Sequence, residues 1–379
     1  SDMASERFFL RKAFPLLGVT VVFILTWVWL WSDWVMRFGM MILLGAYMLL
    51  VQWMRRERMR FLERIKDPVK LAAALAWVEY PLIFHISLEF GLFKTYAIPS
   101  VSKILAETGQ FTKSVNSCLR RYDDTNLIIN EMIAHGDLDH PRSLRALRRL
   151  NHIHGHYPIK NEDHLYTLSV FICEPIAWTA KYGYRDLTVR ERDAVFSTWV
   201  EIGSRMGIEG IPKTYEEMLA FYKAYESKHF RYSKNNRKVA DGTFALLLKD
   251  VPPPLRPYVT PLTFALMSPL LRTAMGYQDP SEAVVLLVST VLMLRKSFVK
   301  YLLPPRPFWL ESSRISKNIG ANGKYHTRYH FYGEAYPEGY RIEHLGPPNI
   351  AKTGTLASVY DTKSGKKKIL ETKTVSEFR

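Results

Sequence analysis

The stretch RRYDDTNLIINEMIAHGDLDHPRSLRALRRLNHIHGHYPIKNEDHLYTL, residues 120–168, decides how the chain reads. It carries six of the eleven histidines, at positions 135, 140, 152, 154, 156 and 164. These, with several acids and arginines, sit on segments whose apolar spacing is that of buried helices. Polar groups on a core-facing stripe cost free energy unless they are paired or bind something. The stretch is therefore the first place to look for a cofactor.

Asp139-His140-Pro141 suits a helix start, since Pro early in a helix loses an N–H that would be unpaired anyway. The helix then runs from Arg142 towards Tyr157. At about 100° per residue, Leu144, Leu147 and Leu150 define one apolar stripe, and His154 falls close to the Leu147 direction. His152 and His156 point away from that stripe, and Ile153 lies off it. Of the three clustered histidines, His154 is the one aimed at the core. A core histidine is either a packed, hydrogen-bonded residue or a metal ligand, because neutral imidazole binds iron through one ring nitrogen. A zinc site on His152 and His156, four apart on one face, lacks an obvious third ligand. The His-Glu-x-x-His pattern of metalloproteases is absent. Upstream, Arg121 and Thr125 are also four apart, with Ile128 and Met132 continuing the same helical face. Such a face suits capping a cofactor with a cation and a hydroxyl; the alternative is a surface Arg121 paired with Asp124 or Glu131.

A chain of 379 residues that is 47% hydrophobic can bury a large core and is not a disordered polymer. Cys118 and Cys173 are too few for a disulfide framework or a cysteine zinc site. The net charge of +16 invites a nucleic-acid partner, but the basic residues crowd beside the apolar N-terminus (Arg55, Arg56, Arg58, Arg60) and in the tail (Lys363, Lys366, Lys367, Lys368). Basic clusters flanking apolar spans mark membrane anchors, and no nucleic-acid-binding motif accompanies them.

Phe14 to Trp31 is an uncharged apolar run long enough for a transmembrane helix, and a second run covers Phe38 to Trp53. The tryptophans at 27, 29, 31, 34 and 53 suit a membrane interface. A cleaved signal peptide is the rival reading, weakened by the second run and the lack of a small-residue cleavage site. Two spans in a hairpin, or one span plus an interfacial helix, both fit. Positive charge on both flanks (Arg7, Arg11 and Lys12, then Arg55 onward) favours cytoplasmic ends.

Beyond this anchor (residues 1–60) the pattern is helix upon helix through residues 61–303. Pro68 to Ser87 reads as a helix closed by the Gly91 and Pro99 region, and Ile159 to Lys181 as one kinked or broken at Pro175. Thr188 to Met206 opens with a capping box, Thr188 and Glu191, and ends before Gly207. Tyr215 to Phe230 and Ser281 to Leu303 are further helices. Alternating strand patterns are scarce, so the fold class is all-α. From residue 304 to 379 Pro, Gly and Lys rise and periodicity fades, which reads as an irregular tail wrapping the domain or partly disordered.

Several of these motifs resemble a known family. Arg121-Tyr-Asp-Asp-Thr125, His154-Gly-His-Tyr157 and Leu165-Tyr-Thr-Leu168 are similar to the ER-bound oxygenases of fungal mycophenolic acid biosynthesis and, more distantly, to the bacterial rubber oxygenases (latex-clearing proteins). Phe93-Lys-Thr-Tyr-Ala-Ile-Pro99, Thr108-Gly-Gln-Phe111, Pro304-Pro-Arg-Pro307 and Tyr336-Pro-Glu-Gly-Tyr340 extend the likeness from about Trp77 to Pro347. The resemblance implies an all-α, partly globin-like fold holding haem b, with His154 as the iron ligand and Arg121 and Thr125 on the other side of the cofactor, on the helical face that Ile128 and Met132 continue. It implies an ER-membrane oxygenase that uses O₂ to cleave a C=C bond of a lipophilic prenylated substrate into carbonyl products. Arg121, Thr125 and Asp124 take the catalytic positions. Asp124 agrees with the fungal branch and departs from the lysine of the rubber oxygenases, which favours a smaller prenylated substrate over polyisoprene. The competing expectations are a non-catalytic haem- or lipid-binding membrane protein and a zinc hydrolase.

Overall fold

Proline and capping residues set the helix boundaries. The computed structural model describes residues 26–27, 33–352, 354–360 and 367–368. Within them the helices are α1 Trp34–Arg64, α2 Pro68–Ala74, α3 Pro81–Thr95, α4 Pro99–Glu107, α5 Val115–Ile133, α6 Pro141–His154 and α7 Asn161–Tyr182. They continue as α8 Val189–Arg205, α9 Tyr215–His229, α10 Lys234–Leu247, α11 Arg256–Phe264, α12 Pro269–Met275, α13 Glu282–Tyr301 and α14 Pro348–Ala351. A two-residue antiparallel pair, β1 Val359–Tyr360 and β2 Lys367–Lys368, is the only sheet among the described residues. The all-α expectation is met, with an apolar helix at the N-terminal side.

Two elements depart from the sequence reading, both at prolines. Pro68 to Ser87 is not one helix: α2 runs into a π-helical turn, Leu75–Glu79, and α3 restarts at Pro81, with a bend of 103° between the two arms. Pro81 occupies the first helical position, where no N–H is needed. Pro175, by contrast, lies inside an unbroken α7. That helix is buried on most of its surface between α3, α8 and α9, and this packing outweighs the lost hydrogen bond. Gly91 lets α3 and α7 close on each other, because a Cβ there would collide with the Val170 side chain. The capping box at Thr188 and Glu191 is present as read. Phe38 to Trp53 lies within α1, the one unbroken helix among the described residues long and apolar enough to cross a membrane. Apart from Thr26 and Trp27, the run from Phe14 to Trp31 lies outside the described residues.

α5 and α6 form an antiparallel hairpin closed at its loop end by a buried ion pair. Glu131 is fully buried and accepts from Arg142 at both carboxylate oxygens, at 2.5 and 2.8 Å. Tyr340 donates to the same carboxylate at 2.6 Å. Burial alone would raise the Glu131 pKa, but hydrogen bonds from His135 and Arg142 hold it below the usual range. Tyr340 belongs to the segment after α13, which wraps the bundle and buries Leu310, Ile315, Ile342, Leu345 and Ile350. The same segment supplies a partner to two more acids of α5: Arg314 pairs with Asp123 at 2.8 Å, and Tyr336 donates to Asp124. A buried charge stripped of its partner is strongly destabilising. Glu131→Ala is therefore expected to cost about 3–5 kcal/mol, read as a lower midpoint in urea denaturation of the purified protein.

Candidate active site

A capping box at Ser114 and Ser117 starts α5 and sets its phase, turning Leu127, Ile128 and Met132 into the core. Arg121 and Thr125 lie one turn apart on this helix and touch: the guanidinium donates to Thr125 Oγ1, and that hydroxyl donates to the Arg121 carbonyl at 3.1 Å. At the other side, α6 ends at His154, with Gly155 as its C-cap. The His154 ring lies 5.2 Å, centroid to centroid, from His164 in the first turn of α7.

These groups line one cavity of about 700 Å³. Its walls are mainly apolar, including Phe93, Phe111, Ile128, Met132, Leu168 and Phe171. Burial pushes the His154 pKa down to about 3, aided by nearby His164 and Arg121, so the imidazole is neutral at any physiological pH. Its Nδ1 is buried without a hydrogen-bond partner. A polar nitrogen left unpaired inside a protein is uncommon, and here it belongs to a ring that faces the cavity.

All six residues singled out in the sequence reach this cavity: Arg121, Asp124, Thr125, Ile128, Met132 and His154. Arg121 bonds to Thr125, and Glu131 instead serves Arg142, so the surface ion-pair alternative for Arg121 falls away. Asp124 does not bond to Arg121. It accepts from Tyr336 Oη, and burial raises its pKa to about 6 against the lowering effect of the hydrogen bonds from Tyr336 and the Gly346 backbone. His152 and His156 pack edge to face, with His156 Nδ1 against the His152 carbonyl at 2.7 Å. No group of three or more His, Cys, Asp or Glu able to hold a metal ion occurs among the described residues.

Two features of the cavity escaped the sequence reading. His164 stands ten residues beyond His154, and only the turn at Pro158 brings the rings together. His85 and Glu89, one turn apart on α3, form a 3.2 Å pair; Tyr122 donates to that carboxylate at 2.5 Å and Tyr332 at 3.4 Å. The His85–Glu89 spacing was a visible helical pair. Tyr332, 243 positions from Glu89, carried no local signal.

The chain matches the family described as ER-bound oxygenase mpaB/B'/rubber oxygenase, catalytic domain, over residues 90–296. The ER-bound oxygenase mpaB' of Penicillium brevicompactum is 31% identical over 321 residues, covering 72% of this chain and 75% of that protein. The ER-bound oxygenase mpaB of the same organism is 30% identical over 268 residues, 66% of this chain and 62% of the relative. That of Penicillium roqueforti is 31% identical over 267 residues, 62% and 89% respectively.

Asp124 gives the site a pH signature. A carboxyl whose folded pKa lies above its unfolded value contributes stability below the unfolded value, and loses it as pH rises through the folded one. For Asp124 that window runs from 3.8 to about 6. Asp124→Asn keeps an acceptor for Tyr336 and removes the charge. It is expected to gain on the order of 3 kcal/mol over wild type above about pH 7 and little near pH 4, measured by thermal unfolding across a pH series.

Proposed function

This chain belongs to the ER-bound oxygenase mpaB/B'/rubber oxygenase family and is an oxygenase, and we propose that it is a membrane-bound, haem b-dependent enzyme cleaving a C=C bond of a prenylated small molecule with O₂. The observation that carries the reading is the neutral imidazole of His154, its buried Nδ1 unpaired, facing the same apolar cavity as the Arg121–Thr125 pair. The donor set fits haem. A tetrahedral zinc site asks the protein for three or four ligands, whereas haem would ask it for a single side-chain ligand.

His154 would hold the iron, and haem would supply there the chemistry that activates dioxygen. The chain's own residues set the surroundings. The Arg121 guanidinium offers fixed positive charge where an oxygen atom gains negative charge, and Thr125 presents a hydroxyl one turn away. Aromatic and aliphatic walls exclude water and hold an isoprenoid chain. Asp124, tied to Tyr336, positions α5 against the segment that follows α13. Addition of one oxygen atom to each carbon of the broken double bond yields two carbonyls, so the balance needs no external reductant.

α1 and the relatives, which are named ER-bound, support a location at the ER membrane. We place the catalytic domain on the cytosolic side, because Arg55, Arg56, Arg58 and Arg60 follow the apolar stretch of α1. Protease added to sealed microsomes is expected to degrade the domain without detergent; a domain protected until detergent is added reverses this topology.

Turnover of a prenylated phenol under ¹⁸O₂ is expected to label both carbonyl products in wild type. With haem occupancy matched, Arg121→Ala and Thr125→Ala are expected to lose about 10²–10³ in rate, the usual cost of one preorganised donor. Wild-type rates in both variants, or carbonyls that are unlabelled even when trapped by borohydride reduction as they form, contradict the assignment.

A further inference from the structure

α13 presents an outward face that water would not select. Over twenty residues it buries no side chain. Its inward row, Val284, Val288, Leu292, Arg295 and Val299, is half-buried at helical spacing. Its exposed positions include Leu286, Leu287, Val291, Met293 and Leu294, with Ser289, Thr290 and Ser297 among them; Leu286 is 69% and Leu294 65% exposed. A helix resting on a soluble domain normally turns polar residues outward.

The position of α13 says what covers this face. Its C-terminal end is tied to α1 where the apolar stretch of α1 gives way to arginines. Gln52 donates to the Lys300 carbonyl at 2.6 Å, Arg55 to the Val299 and Leu303 carbonyls, and Tyr47 to the Leu302 carbonyl at 2.8 Å. On its other flank, Lys296 donates to the Ala180 carbonyl at the end of α7. α13 is thus fastened beside the stretch of α1 where apolar residues give way to arginines. Its neighbour α11 follows Leu255 and carries Tyr258, 51% and 75% exposed, and Phe61 of α1 packs on Phe308 next to an exposed Trp309. Apolar and aromatic side chains above a band of Arg and Lys are the composition of a helix lying in the interface of a bilayer.

We propose that α13, with the start of α11, is a second membrane contact: it lies in the interface of the leaflet that α1 enters, and the occupant of its apolar face is lipid. Thr263 of α11 and the following Leu266 and Met267 line the cavity, so the seat sets one cavity wall beside the acyl chains. Lateral entry of a lipophilic substrate at that wall rests on the function proposed above; the seat itself does not.

The test needs no turnover. Spin labels are placed at Leu286→Cys, Leu294→Cys and, as a comparison, Ile319→Cys, an exposed apolar site on the segment after α13. Native Cys118 and Cys173 are buried. The full chain is reconstituted in phosphatidylcholine–phosphatidylserine vesicles. Labels at 286 and 294 are expected to be mobile, readily relaxed by oxygen and poorly relaxed by a water-soluble nickel chelate, with the reverse at 319. Chelate-accessible labels at all three sites overturn the proposal. So do immobile labels shielded from both reagents, which would mean that protein covers the face, from this chain or a second copy. Leu286→Asp with Leu294→Asp, which alters only exposed positions, is expected to raise chelate access at a label on Leu287→Cys at least tenfold. No change would likewise contradict a lipid seat.

Discussion

The buried carboxylate of Glu131 is the constraint on which the site depends. A fully buried charge is tolerated only when nearly every lone pair is used, and here the Arg142 fork and Tyr340 use them. The pair sits at the closed end of the α5–α6 hairpin. Arg121 lies ten residues back along α5, about 15 Å, and His154 twelve residues on along α6, about 18 Å. The two helices run antiparallel, so these near-equal distances bring the cation and the imidazole to the same level. Fixing one end of the hairpin fixes the geometry across the cavity at the other.

The segment after α13 completes that constraint. Asp123, Asp124 and Glu131 occupy three positions on α5, and Arg314, Tyr336 and Tyr340 meet them in turn. A fourth tie joins Tyr332 to Glu89 on α3, beside His85 stacked on Phe331 at 3.8 Å. On α6, Arg149 is fully buried and donates to the Leu345 and Thr355 carbonyls. The polar side of the hairpin, which would otherwise face water, becomes an interface, and a cavity with apolar walls is closed over by hydrogen bonds.

Much of this was legible because it is local. Helical period and capping residues place α5 and α6, and the seven-residue step from Leu147 to His154 turns that histidine to the cavity. The four-residue step from Arg121 to Thr125 makes them partners. What could not be read depends on contacts distant in the chain. Arg142 and Arg149 look like the solvated side of a basic helix until Glu131 and carbonyls about two hundred residues later accept from them. Asp124 likewise invited pairing with Arg121, and only Tyr336, 212 positions away, shows otherwise. Proline was ambiguous for the same reason: Pro81 and Pro175 differ in what packs around them, which no local pattern states.

The central claim is that one imidazole, His154, is the protein's ligand to haem iron. The most direct measurement is the absorption spectrum of haem-loaded His154→Gly, recorded with and without free imidazole. The account predicts a weakened and shifted Soret band that returns to the wild-type position when imidazole fills the space left by the side chain. A wild-type spectrum in the variant before imidazole is added would contradict it.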